Sequence, residues 1–104
     1  MSIRDVGPDN IEQFRSQLNR GTKLFQEAMD EYSKTTEPHK KAQLQKVMNE
    51  TMTAMNQILN DVLKESAKSK EDKLQQDYNK FIANANPQNI GNLNNDLKDI
   101  QNSI

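Results

Sequence analysis

His39 is the chain's one histidine and the first residue to weigh for proton transfer, because imidazole titrates near neutral pH. It stands between Pro38 and Lys40-Lys41 in what reads as a turn, with no partner spaced to orient it. It is expected to be an exposed turn residue rather than a catalytic base. Asp30-Glu31 and Glu71-Asp72 are adjacent carboxylates of the kind general acid–base chemistry uses. Consecutive helix positions point ~100° apart, however, so neither pair converges on one substrate. Asn92-Leu93-Asn94-Asn95-Asp96 superficially spaces oxygen ligands as a calcium loop does, but Leu93 and Leu97 belong to an apolar stripe and no suitable Glu follows. The chain has no Gly-rich phosphate loop, no His-Glu-x-x-His run and no cysteine, hence no thiolate nucleophile, disulfide or Cys-based metal site. Asn49-Glu50-Thr51 fits a glycosylation acceptor, yet it falls inside a helical pattern with no secretion signal and reads as coincidence. The expected class is therefore non-enzymatic, with no cofactor and no metal.

The residues suited to recognition are apolar. Met48, Met52 and Met55 follow one another at i, i+4 and i+7. Methionine adapts its shape, and Met-rich helix faces serve as surfaces for varied apolar ligands. The bland alternative is that these three fill a core. His39-Lys40-Lys41 with Lys46 makes a small basic patch at the start of a helix, either incidental or suited to an acidic partner.

These methionines lie on a very broad apolar face over residues 44–63, made of Leu44, Val47, Met48, Thr51, Met52, Ala54, Met55, Ile58, Leu59, Val62 and Leu63. At ~100° per residue it covers about half the helix circumference. Upstream, Ile11, Phe14, Leu18, Gly21, Phe25, Ala28 and Tyr32 form a narrower, heptad-like seam. Gly21 on that seam points to close approach of another backbone or to a bend. Leu24 stands off the seam by about 90°, as a lone surface leucine or as a partner contact. Between the two stretches, Thr35-Thr36-Glu37-Pro38-His39 breaks the helix: Pro38 suits a first helical turn, with Thr36 or Glu37 as cap. So short a connection makes the two helices an antiparallel hairpin.

Beyond Leu63 the stripe Leu74, Tyr78, Phe81, Ile82 and Ala85 is displaced by about 140° from the 44–63 face if the helix runs on straight. Either the helix breaks near Ser66 to Ser69, with Ser66 or Ser69 as the new cap, or one long helix shows two faces to two neighbours. The break is preferred. Pro87 ends that helix at Asn86. Ile90, Leu93, Leu97, Ile100 and Ile104 then mark a last amphipathic segment, which Gly91 and its asparagines make dependent on docking. At the other end, Gly7-Pro8 closes a short tail, with Asp9 or Asn10 as the first cap. The alternating charges of residues 64–80, Lys73 and Asp77 among them, read as a solvated helix face.

The chain of 104 residues is thus expected to be all-α, an antiparallel helical hairpin extended to a three- or four-helix bundle with coiled-coil-like packing. Residues 1–8 are a flexible tail, and residues 9–104 are one helical domain with helices near 9–35, 39–66, 70–86 and 89–104. Hydrophobic residues make up 33% of the chain, against roughly 45–50% on a scale that also counts glycine, so burial must be confined to stripes. A net charge of −1 argues against nucleic acid, which needs a clustered basic surface. No stretch has the ~18 consecutive apolar residues of a membrane span, and Met1 to Pro8 lack the apolar core of a signal peptide. A cytoplasmic protein is expected, although export without a classical signal would leave no such trace.

The functional expectation is an interaction module, a small helical adaptor, chaperone or regulator. It would bind a partner protein through Met48, Met52, Met55, Ile58, Leu59 and Leu24. The alternative is a self-assembling structural subunit in which a second copy covers the broad face, giving a homodimer or filament. In architecture the chain resembles the small helical proteins of bacterial secretion systems, chaperones and needle-type subunits, which are also short cysteine-free hairpins. It departs from the needle subunits at Thr36-Glu37-Pro38-His39, which lacks their two-proline turn. The resemblance implies interaction or assembly and assigns no residue.

Overall fold

The computed structural model describes residues 8–63 and 67–103. Among these residues the chain forms four helices, α1 (Pro8–Lys34), α2 (Pro38–Leu63), α3 (Ala67–Ala83) and α4 (Pro87–Gln101). Each of the three prolines is the first residue of a helix. There its fixed φ is already helical and its missing N–H would have had no partner.

Local hydrogen bonds set the ends. The Glu37 carbonyl accepts from Lys41 N–H at 3.0 Å, so Glu37 opens α2 as one of the two expected caps. Asn86 holds an extended backbone before Pro87, and its side chain accepts from Asn89 N–H at 2.7 Å. The Asn89 amide in turn donates to the Lys80 and Asn84 carbonyls at 3.2 and 2.8 Å, tying the start of α4 to the end of α3. Because Asn86 is the cap of α4 it cannot also end α3, and α3 closes at Ala83 rather than at the expected Asn86. Asp9 and Asn10 are not caps, since α1 already begins at Pro8; Ser69 is inside α3, and Ser66 lies outside the described residues.

The displaced stripe is resolved by a reversal of the chain. On one continuous helix, Gln45 and Tyr78 would stand about 50 Å apart. Instead the Tyr78 hydroxyl donates to the Gln45 carbonyl at 3.4 Å, so α3 runs back along α2. The neighbours are α1 with α2, α2 with α3, α3 with α4 and α4 with α1, while the diagonal pairs do not meet backbone to backbone among the described residues. This is an up-and-down four-helix bundle. It is uneven, because α1 and α2 have 27 and 26 residues and α3 and α4 have 17 and 15. Gln101, at the end of α4, bonds to Asn19 at 3.2 Å, so α1 continues about three turns past it. The molecule is accordingly elongated, 51 × 22 × 15 Å, and no described helix is long and apolar enough to cross a membrane.

One core joins all four helices. Leu18, Phe25 and Met29 of α1 meet Met48, Met52, Met55 and Leu59 of α2, closed over by Leu74 and Phe81 of α3 and Leu93, Leu97 and Ile100 of α4. Aromatic rings span its diagonal, Phe25 against Tyr78 edge-on at 6.0 Å and Tyr32 against Phe81 at 5.3 Å. Such pairs add about 0.5–1.5 kcal/mol beyond their buried area. Buried Thr22 satisfies its hydroxyl by donating to the Leu18 carbonyl at 2.9 Å.

Two glycines interrupt helical propensity for different reasons. At Gly21 a Cβ would stand 3.0 Å from Met55 Cγ, so glycine there admits the facing helix, and α1 continues through it. At Gly91 a Cβ would meet nothing within 4 Å. Gly91→Ala is therefore expected to stabilise the protein by up to about 1 kcal/mol, read as a higher urea midpoint with unchanged slope. No such gain is expected at Gly21.

Candidate interaction surface on the long hairpin

The broad face of α2 divides between two environments. Met48, Met52, Met55 and Leu59 turn inward and are buried. Val47, Thr51, Ala54 and Ile58 sit on the adjoining side of the helix, ~70–130° around from the centre of that group. Val47 is 41% exposed and Ala54 is exposed, while Thr51 and Ile58 are half-buried.

Thr51, Ala54 and Ile58 face Leu24 across the α1–α2 seam and form an open groove of about 340 Å³. Gln17, Arg20, Gly21 and Leu24 supply one wall, and Glu50, Thr51, Ala54 and Ile58 the other. The Thr51 hydroxyl is spent on its own helix, donating to the Val47 carbonyl at 2.7 Å. Its methyl carbon lies 3.7 Å from where a Cβ of Gly21 would be, which leaves an apolar floor. The charged groups of the lining are Arg20 on the α1 lip and Glu50 on the α2 lip.

Of the recognition residues expected from sequence, only Leu24 and Ile58 line this groove. Met48, Met52, Met55 and Leu59 are covered by the chain's own helices and offer no open face, a correction with a plain cause: α3 folds back over them and α1 closes the side. Thr51, Ala54 and Gly21 line the groove as well and were missed. The signal for Thr51 and Ala54 was present in the width of the 44–63 face, which exceeds what the 11–32 seam can cover.

The other candidates for chemistry stay apart. His39 is exposed at the start of α2, with Gln43 at 3.4 Å as its neighbour. Asp30 pairs with Lys34 at 3.1 Å rather than acting with Glu31. Within the basic patch, the Lys41 ammonium lies over the Tyr32 ring, 5.2 Å from its centre, where the ring's negative face attracts it. Glu71 is half-buried beside exposed Asp72, and burial raises its carboxyl above the ordinary value, with Asp72 adding to the shift. No group of three or more histidine or carboxylate side chains that could hold a metal occurs among the described residues.

One polar cluster departs from the sequence reading. The charge pattern of residues 64–80 predicts a solvated face for Lys73 and Asp77 of α3, yet Asp77 is buried, and so is Asp96 of α4. Lys73 Nζ reaches Asp77 Oδ2 at 3.2 Å and Asp96 Oδ1 at 2.6 Å. Sequence periodicity could not reveal this, since the pairing exists only once α3 and α4 are side by side.

No protein-family model, curated protein or solved structure matches the chain.

Proposed function

We propose that the protein is a non-catalytic interaction module, a small helical adaptor, chaperone or regulator, and that the groove between α1 and α2 takes the apolar face of a helix from a partner protein. The observation that carries this reading is the large apolar side chain left open in the groove, Leu24 at 46% exposure, beside a floor that Gly21 lines, with Val47 also exposed, at 41%, on the stripe of α2 that carries Thr51, Ala54 and Ile58. A groove between two antiparallel helices accepts a third helix with side chains at i, i+3, i+4 and i+7 inserted between its walls. A chain with so few apolar residues that leaves these outside its core supports a role in recognition better than one in stability.

Opposite charges on the two lips, Arg20 and Glu50, favour a second reading in which the partner is another copy of this chain. Photo-crosslinking separates the two. A photoreactive residue at position 24 is expected to give a discrete protein adduct in the source cell, lost with Ala54→Glu, while the same residue at exposed Lys98 gives none. An adduct of twice the chain's mass, with matching concentration-dependent light scattering, identifies the second copy. An adduct indifferent to Ala54→Glu, or equal yields at positions 24 and 98, would remove the groove from consideration. Ala54→Glu and Leu24→Glu should leave the fold within about 0.5 kcal/mol of the parent, because both positions are exposed.

A further inference from the structure

Asp77 and Asp96 are the buried carboxyl groups among the described residues, at 8% and 5% exposure. They come from neighbouring helices and converge on one cation. The Lys73 side chain is 65% exposed and reaches inward, so its ammonium closes the seam between α3 and α4 from the solvent side. Asp96 Oδ1 accepts from that ammonium, while Asp96 Oδ2 is fully buried with no donor beside it. A buried carboxylate oxygen without a donor is costly, and two buried carboxylates cannot both be balanced by one ammonium. Protonation removes both penalties, since a protonated carboxyl is itself a donor and the Asp77 carboxylate is an acceptor.

We propose that Asp77, Asp96 and Lys73 form a proton-operated latch between α3 and α4. With a proton on Asp96 Oδ2, Asp96 donates to Asp77, the pair carries one negative charge against one ammonium, and the helices are held together. Loss of that proton sets two carboxylates against a single cation and loosens α4.

The surrounding charges leave the latch to α3 and α4. From α3, Lys80 acts on Asp77, and the Lys70–Asp99 pair at 2.8 Å lies one turn along the same seam. Between α1 and α4, Gln26 bonds to Asn94 at 3.4 Å and Asn19 to Gln101 at 3.2 Å, and the charged Arg15 of α1 lies beside Gln101 at the far end of α4. Asn94 and Gln101 point roughly 150° away from Asp96 around α4. No backbone contact joins α2 to α4 among the described residues.

Burial first, and then the neighbouring Asp77, push the Asp96 carboxyl up from 3.8 to about 6 against the opposing pull of Lys73. Asp77 is held below its ordinary value, chiefly because Asp96 donates to it and then because Lys73 does. Lys73 is raised by its bonds to Asp96 and Asp77 and stays charged. A carboxyl whose folded value is raised stabilises the fold fully below its unfolded value, and that stabilisation is lost as pH rises through about 6. Asp77 has the opposite sign, contributing above the ordinary value near 3.8 and failing below it. The latch is therefore tightest near pH ~4, weakens as pH rises toward ~6 and is released above it.

The test is amide hydrogen exchange of Leu93 to Ile100 from pH 4.5 to 7.5, corrected for intrinsic exchange, in the wild type and in Asp96→Asn, whose amide mimics the protonated carboxyl. Opening of α4 in the wild type is expected to rise at least about tenfold between pH 4.5 and about 6 and to level off above it, where Asp96 is ionised in both the closed and the open state. Asp96→Asn should stay near the acid value throughout. Parallel profiles for the two proteins would overturn the latch. If Asp96→Asn does not fold, the carbon-13 titration of the Asp96 carboxyl in the wild type decides: a midpoint near 6 supports the latch and one near 4 rejects it.

Discussion

Met52→Glu is expected to unfold the protein rather than to abolish binding selectively. Met52 is 4% exposed, in the core that joins all four helices. Leaving an unpaired charge in such a site costs several kcal/mol, a large share of the ~5–15 kcal/mol that holds a domain of this size. Circular dichroism and urea titration at pH 7 should show a chain largely or wholly unfolded. Partial recovery of helicity at pH 4–5 is expected too, because a buried glutamate folds in its neutral form and its stability returns as pH falls through its raised value. Leu24→Glu is the control. At 46% exposure it should leave the unfolding midpoint almost unchanged. Near-native stability of Met52→Glu at neutral pH would mean that the methionine face is open and that the α3–α4 pair does not cover it.

Phe81→Ala is expected to cost about 3–5 kcal/mol, the range for removing a fully buried phenylalanine. Phe81 is completely buried and its ring meets Tyr32 5.3 Å away, at the end of the bundle where α3 approaches the α1–α2 connection. Tyr32 in turn carries the Lys41 ammonium on its ring. Removing Phe81 therefore opens a cavity and frees the ring that orders Lys41. With a urea slope of about 1–3 kcal/mol/M, the midpoint should fall by roughly 2 M. Val47→Ala, which removes a 41% exposed side chain of the same hairpin, should move it by much less. Equal shifts for the two would contradict the placement of α3 over the core.

Much of the fold was legible because its determinants are local. The helices at the positions of α1 and α2 follow from a 3.6-residue period bounded by prolines, and the short Thr35 to Glu37 connection leaves an antiparallel return as the only compact option. The second reversal could be inferred less directly, from the changed phase of Leu74, Tyr78 and Phe81, whose common face makes sense only if it turns back on α2. The end of α3 was misread at Asn84 to Asn86. Proline rules alone say where a helix must have stopped, whereas the side chain of Asn86, caught by Asn89 N–H, decides where it does stop.

The candidate surface was half legible. Leu24 was marked by standing off its seam, and the width of the 44–63 face announced more apolar surface than one neighbour covers. Which half of that face would be buried was not in the pattern. Periodicity gives the angle between Met52 and Val47 but not the direction from which α3 and α4 arrive. By itself, then, the sequence determined the all-helical hairpin and the stock of apolar side chains available to it. The tertiary structure alone decided that the methionines close the core, that Leu24 and Ile58 line an outer groove, and that Asp77 and Asp96 share Lys73. The physical reason is that backbone propensity and amphipathic phase act within a few residues, while burial and charge pairing are properties of helices brought together from distant parts of the chain.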